Sequence, residues 1–143
     1  MGLADPQALG IAIAARDAYQ MLGSPEGELA LAEAAVYLAT CPKSNRVYEA
    51  WGAALEAAKE TPALPVPLHV RNAPTGLMKE LGYGKGYKYA HAEPEAYAPQ
   101  EYLPDDLRGQ AFYRPSEFGA EKAIAERMKR WEELKRKAAG DRP

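Results

Sequence analysis

The sequence predicts an all-α fold, in which a helical bundle is followed by a long irregular arm rich in Pro, Gly and Tyr and then by a C-terminal helix. Two observations support this prediction. Apolar residues recur every three or four positions through residues 1–61, which is the period of amphipathic helices. After His91, prolines recur too closely for long regular elements. At 143 residues we expect a single domain, with a scaffold at 1–61, a short helix and arm at 62–116 and the last helix at 117–143.

Three consecutive helices are predicted in the scaffold, at about 6–22, 28–39 and 45–59. The turns between them are short, and short connections favour antiparallel neighbouring helices. The apolar spacing predicts which residues face inward: Ile11, Ala15, Ala18, Tyr19 and Leu22 on the first helix, Leu31, Ala35, Leu38 and Ala39 on the second, and Val47, Trp51, Ala54, Leu55 and Ala58 on the third.

Several helix ends carry local signals. Asp5 can cap the first helix ahead of a proline at its first position, Gly23 can end it, and Ser44 can cap the third. A short helix is expected to begin near Pro74 and to end at Gly82, with Leu77, Met78 and Leu81 as its apolar face.

The arm is expected to span 93–116, to be ordered and extended, and to contain one helical turn at 105–107. The last helix is predicted from about Gly119 to Ala139. It contains three acid-first pairs at i,i+4 spacing, Glu126/Arg130, Glu132/Arg136 and Glu133/Lys137. We expect Trp131 on this helix to be buried, either in this chain or against a partner.

Charge is distributed unevenly along the chain. The net charge is −2, and residues 1–61 hold four Lys or Arg against eight acids. Residues 71–91, however, hold four cations and one acid, Glu80. Bulk attraction to nucleic acid is therefore unsupported, and only a local patch could provide it.

The 71–91 segment is the candidate nucleic-acid site. Glycines at 82, 84 and 86 alternate with Tyr and Lys, and the residues that would contact phosphates or bases are Arg71, Lys79, Lys85, Tyr87 and Lys88. The alternative, which we favour, is structural: the tyrosines anchor an irregular loop and the lysines face water. Contact of this loop with another subunit is a third interpretation.

No catalytic or metal constellation is evident in the sequence. A P-loop of the form G-x-x-x-x-G-K-[ST] is absent, so we expect no catalysis and no bound cofactor in this chain alone. His69 and His91 lack nearby carboxylates at ligand spacing, so hydrogen bonding to loops is favoured over zinc binding. Cys41 is the only cysteine; it is expected to be a small buried hydrophobe and fits a reducing cytosol.

Several segments resemble the C-terminal part of the RarA/MgsA family of AAA+ ATPases. They are GLADPQAL, YLATCPKSNRVYEAW, PVPLHVR with NAPTGLMKELGYGKGYKYAH, QEYLPDDL and FYRPSEFGAEKAIAERMKRW, which together run from about Gly2 to about Trp131. Gly76 departs from the pattern, where Lys is expected in relatives. The resemblance also suggests that the chain begins inside a longer protein.

The resemblance implies a function in assembly. In this family the C-terminal region is helical, resembles the collar of clamp-loader ATPases and holds the subunits together as a tetramer. The parent would be a DNA-dependent ATPase of the cytoplasm, associated with the nucleoid, that acts at stalled replication forks and in recombination and repair. ATP and Mg²⁺ would bind in its upstream AAA+ domain, and single-stranded-DNA-binding protein and DNA would be partners; no membrane partner is implied.

We therefore expect a non-catalytic oligomerisation domain that forms a homotetramer, with a nucleic-acid-binding module using residues 71–91 as the alternative. The Trp-bearing last helix and the aromatic arm offer more apolar surface than a lone bundle needs, and such a surplus can become a symmetric interface. The interface residues expected from this argument are Trp131, Met128, Ile124, Phe112 and Tyr113.

Overall fold

The computed structural model describes residues 2–140 and confirms the all-α prediction. Within those residues there are five α-helices joined by short 3-10 turns and irregular segments. The helices are α1 (Ala8–Leu22), α2 (Glu26–Thr40), α3 (Arg46–Glu60), α4 (Gly76–Glu80) and α5 (Glu121–Gly140). No helix in the described range is long and apolar enough to cross a membrane.

The chain divides into two compact units, which we describe separately. Unit 1 comprises Met1–Leu55 and Phe112–Arg127, and unit 2 comprises Glu56–Ala111 and Met128–Pro143. Two of the three boundaries between them fall within α3 and α5, and the third lies between Ala111 and Phe112 in the arm. The single domain predicted from length thus stays a prediction, as does its division into three segments.

In unit 1, α1 and α2 pack closely against each other because Gly27 has no side chain. A Cβ at Gly27 would lie 2.7 Å from the Cα of Tyr19. This approach turns Gly27 and Ala34 inward, and both are buried. The inward face predicted for α2 is wrong at Leu31, which is exposed, and also at Ala35 and Ala39, because the sequence pattern could not show that a glycine sets the contact. On α1 the prediction is confirmed at Ala15 but is wrong at Tyr19 and Leu22, which are exposed.

Replacing Gly27 by Ala is expected to destabilise the chain by about 1–2 kcal/mol, although Ala is the better helix former, because the added Cβ must displace the backbone of α1. Gly10→Ala is the matched control, since nothing lies within 4 Å of its Cβ position; it is expected to stabilise by about 0.5–1 kcal/mol. Urea unfolding of both variants measures the difference. Equal effects would contradict the close approach.

The start of α1 differs from the prediction by two residues. The helix begins at Ala8, and the Asp5 carboxylate accepts the Gln7 amide at 3.0 Å and the Tyr37 hydroxyl at 2.8 Å. Asp5 therefore holds the turn before α1 on the side of α2. The predicted end at Gly23 is confirmed, with φ of 69°.

The apolar face of α3 is not covered in the described part of the chain. Val47, Trp51 and Leu55 lie on one stripe and are exposed, Trp51 to 64%. The prediction that this stripe faces inward is wrong for these residues. The pattern shows that the helix has an apolar side but not whether its partner belongs to the same chain.

A buried carboxylate at the start of α5 joins the segment just before it to a distant segment of unit 1. Glu121, in the first turn of α5, is fully buried. It accepts the Ser44 hydroxyl at 2.9 Å, the Tyr113 hydroxyl at 3.0 Å and the Ser116 amide at 2.7 Å. We call these four residues the carboxylate cluster. Ser44 also accepts the Arg46 amide at 3.2 Å, which confirms its predicted capping of α3.

In unit 2, the arm lies along the second half of α5. Tyr97 stacks on Trp131 with ring centroids 5.0 Å apart and planes 3° from parallel, so Trp131 is half-buried within this chain. Arg130 pairs with Glu95 at 2.7 Å, not with Glu126 as the helix spacing suggested. The turn predicted at 105–107 is a 3-10 turn.

Candidate functional site

The loop after α4 is held by a series of tight turns at its alternating glycines. Thr75 caps α4 by accepting the Met78 amide at 3.3 Å, so the helix starts at Gly76, two residues after the predicted start. Gly82, Gly84 and Gly86 all have positive φ, between 72° and 83°. Only glycine adopts this conformation without strain, which explains the alternation seen in the sequence.

These turns present two lysines to a basic cleft of unit 2. The cleft has a volume of about 480 Å³, and its charged lining residues are Lys85, Lys88, Glu101, Arg108 and Lys135, with His69 and Gln100 beside them. Within residues 2–140, four cations and one acid thus line the same cleft. Residues from the loop after α4, the arm and α5 all contribute.

Two ion pairs partly neutralise the cleft. The Lys135 ammonium lies 2.6 Å from Glu101, and the Arg108 guanidinium lies 2.5 Å from Asp105. Lys85 and Lys88 form no ion pair with another residue of the range 2–140. The local positive surplus therefore comes mainly from Lys85 and Lys88 in the loop after α4.

The structure separates the sequence-predicted site residues into two groups. Lys85 and Lys88 line the cleft, with Tyr87 half-exposed between them. Arg71 does not line it: its guanidinium donates to the Val66 carbonyl and the Tyr83 hydroxyl, and lies over the Tyr83 ring. Lys79 lies exposed on α4, outside the cleft.

Gln100 is a site residue that the sequence analysis missed. Its side-chain amide accepts the Lys88 amide proton at 3.0 Å and donates to the Lys88 carbonyl at 2.9 Å. It therefore pairs with the loop backbone as a neighbouring strand would, and fixes Lys88 in the cleft. No local pattern marks such a glutamine, because its partner is 12 positions away.

The remaining candidates have structural contacts. His69 Nε2 lies 2.6 Å from the Glu101 carbonyl oxygen, as predicted for a histidine that holds a loop. Cys41 is buried, which confirms its prediction. Among residues 2–140, no group of three or more His, Cys, Asp or Glu is arranged to hold a metal ion.

Unit 1 carries a second candidate surface, an apolar groove of about 560 Å³. It lies at the start of α1, and its larger apolar lining residues are Leu3, Leu9, Leu38 and Val47. Val47 is also the first residue of the exposed α3 stripe, which continues through Trp51 and Leu55 at four-residue spacing. The groove and the stripe together form what we call the α3 apolar surface.

The five residues predicted for an interface are all half-buried. Trp131 is covered on one face by Tyr97. The hydroxyl of Tyr113 donates to Glu121, and burial together with this hydrogen bond raises the pKa of Tyr113 to about 12. Phe112, Ile124 and Met128 have part of their surface exposed.

Comparisons with known proteins agree on one family. The family described as "MgsA AAA+ ATPase C terminal" matches residues 1–132. Replication-associated recombination protein A of Haemophilus influenzae is 48% identical over 143 residues, which is 99% of this chain and 32% of that protein. The protein of the same name from Escherichia coli K12 is 51% identical over 90% of this chain and 29% of its own length.

A more distant relative has a different name. ATPase WRNIP1 of Dictyostelium discoideum is 41% identical over 79% of this chain and 13% of its own length. The chain therefore spans about a third or less of the curated relatives described here. It belongs to the family of MgsA AAA+ ATPase C-terminal domains.

Proposed function

We propose that this chain is a non-catalytic oligomerisation domain that assembles four copies of a DNA-dependent AAA+ ATPase. The α3 apolar surface carries the proposal, because Trp51, Leu9 and Val47 expose large side chains that would be stabilised by burial against a second copy of the chain. Because the α3 apolar surface is exposed, it is a better candidate for the centre of the interface than Trp131, which already stacks on Tyr97. The half-buried residues predicted from the sequence are proposed as further contacts of the assembly.

The proposal extends to the parent protein through the relatives' names. Two of them are named for replication-associated recombination, and each is about three times as long as this chain. We propose that the parent acts in replication-fork maintenance, recombination and repair in the cytoplasm at the nucleoid. ATP and Mg²⁺ would bind in its AAA+ domain, and single-stranded-DNA-binding protein and DNA would be its partners.

Light scattering after size exclusion tests the assembly directly. We expect a mass near four times 15.6 kDa that does not depend on salt, because burial of apolar surface is not screened by ions. A stable monomer over the whole concentration range would refute the proposal.

Trp51→Glu is expected to dissociate the assembly, since it places a charge at the centre of the apolar surface. Phe118→Glu is the matched control: Phe118 is an aromatic of unit 1 exposed to 65%, against 64% for Trp51, but it lies outside the groove and the α3 stripe. The two masses are compared at equal protein concentration. If both variants keep the wild-type mass, α3 is not the interface.

A further inference from the structure

The basic cleft of unit 2 has no part in the proposed assembly, but it concentrates positive charge around one space. Lys85, Lys88, Arg108 and Lys135 surround a space of about 480 Å³. Cavities of this size hold a ligand of a few hundred daltons or a short stretch of a chain. A group that carries several negative charges along its length would fit these cations.

We propose that the basic cleft binds the phosphodiester backbone of a single-stranded nucleic acid. Lys85 and Lys88 are the primary phosphate contacts, because neither is neutralised by an acid within residues 2–140. Arg108 contributes when its exposed ion pair with Asp105 exchanges for a phosphate, and Lys135 contributes when it exchanges its half-buried partner Glu101 for a phosphate. An exposed pair such as Arg108–Asp105 is weak, so its exchange costs little.

Aromatic side chains beside the cleft distinguish a nucleic acid from other polyanions. Tyr87 lies between Gly86 and Lys88, which line the cleft, and is 50% exposed. Tyr102 is 54% exposed, and its hydroxyl accepts a hydrogen bond from the Gln100 amide. Exposed aromatics next to a cationic groove are the combination that stacks unpaired bases. The small volume requires a strand to enter a nucleotide or two at a time, which favours a single strand over a duplex.

The cations that line the cleft are not the same set as the cations of the 71–91 segment. Arg71 and Lys79 belong to the segment but not to the cleft, whereas Arg108 and Lys135 belong to the cleft only. Binding should therefore depend on residues far apart in the sequence and not on all cations of the 71–91 segment. The proposal is independent of assembly.

The test is fluorescence anisotropy of a labelled oligothymidine of about 15 nucleotides, a length that covers common single-strand site sizes. Titrations of the full chain at about 50 to 200 mM salt give the affinity and its salt dependence. Lys85→Gln is expected to weaken binding about fivefold at about 100 mM salt and to reduce the slope of log affinity against log salt by about 0.7, the loss of one phosphate contact. Lys79→Gln, the matched control, is expected to change neither quantity.

Glu101→Gln provides a test with the opposite sign. It removes the only acid among the described residues that line the cleft and releases Lys135, so we expect tighter binding and a steeper salt slope. A variant that merely damaged the fold would weaken binding instead.

Three outcomes would overturn the proposal. They are no binding of the strand at about 50 mM salt, equal weakening by Lys79→Gln and Lys85→Gln, or preferential binding of an oligoglutamate peptide of equal charge. The last result would assign the cleft to an acidic peptide.

Discussion

Glu121→Ala is expected to lower the free energy of unfolding by about 3 kcal/mol or more, because it leaves three buried or partly buried donors without their acceptor. The donors are the Ser44 and Tyr113 hydroxyls and the Ser116 amide. Hydrogen bonds to a charged group are each stronger than neutral ones. Urea unfolding followed by far-ultraviolet circular dichroism measures the loss.

Glu126→Ala is the matched control, since Glu126 lies on the same helix but is exposed. It is expected to change stability by less than about 0.5 kcal/mol. Tyr113→Phe, which removes one donor and leaves the carboxylate bonded to the other two, is expected to be intermediate. Similar stabilities for the two glutamate variants would mean that the carboxylate cluster contributes nothing.

The carboxylate cluster also predicts that the stability of the fold decreases at acid pH. Burial raises the pKa of Glu121, but the hydrogen bonds from Ser116, Ser44 and Tyr113 outweigh it and hold the pKa below its usual value. A carboxyl whose pKa is lowered by folding contributes stability above its unfolded pKa of about 4.3, and this stability is lost as the pH falls through the folded pKa. The difference in stability between the wild type and Glu121→Gln is therefore expected to be largest near neutral pH and to shrink below about pH 4.

Tyr113 is expected to cause a loss of stability at alkaline pH. Its pKa is raised to about 12, so its protonated form stabilises the fold below the unfolded pKa of about 10 and that stability is lost as the pH rises through the folded value. An ionised Tyr113 would carry a negative charge beside the negatively charged Glu121 carboxylate, and the two charges would repel each other. Tyr113→Phe is expected to remove this alkaline loss.

Gly119→Ala is expected to destabilise the chain by about 2–4 kcal/mol, because it combines a strained conformation with a backbone clash. Gly119 has φ of +52°, and a Cβ there would lie 2.1 Å from the Ala4 carbonyl oxygen. That oxygen accepts the Ala120 amide at 2.8 Å. The substitution therefore disturbs the contact that holds the start of α5 against the N-terminal turn of unit 1.

Gly109→Ala separates the two causes. Gly109 also has a positive φ, of 81°, but nothing lies within 4 Å of its Cβ position. Gly109→Ala therefore has the conformational cost without the clash, and we expect it to lower the free energy of unfolding by about 1 kcal/mol. Urea unfolding measures both variants, and hydrogen exchange of the Ala120 amide reports the local contact. A Gly119→Ala variant no less stable than Gly109→Ala would contradict the clash.

The helices were predictable because their signals are local. The predicted end at Gly23, the cap at Ser44 and the boundaries of α3, which differ by one residue from those observed, all depend on residues within a turn or two of the helix end. The start of α1 was misplaced because Asp5 bonds both to the Gln7 amide and to Tyr37 on α2. The family was also visible in the sequence, through segments that run along nearly the whole chain.

The candidate sites were predictable only in part. Lys85 and Lys88 were recognised as a local surplus of charge, but Arg108 and Lys135 come to the same cleft from 20 to 50 positions further along the chain. Arg71 was assigned to the same site, whereas its contacts with Val66 and Tyr83 hold the loop instead. Charge can be counted along a sequence, but convergence in space cannot.

The sequence by itself determined that this chain is α-helical, where most helices end, which family it resembles, and that it contains no P-loop. Only the tertiary structure decided which faces are covered and which polar groups meet. It brought Ser44 to Glu121 across 77 positions, turned Gly27 rather than Leu31 toward α1, and left the stripe through Trp51 exposed. The physical reason is that helix formation depends on neighbours within about one turn, whereas burial and hydrogen bonding between side chains depend on how distant segments pack.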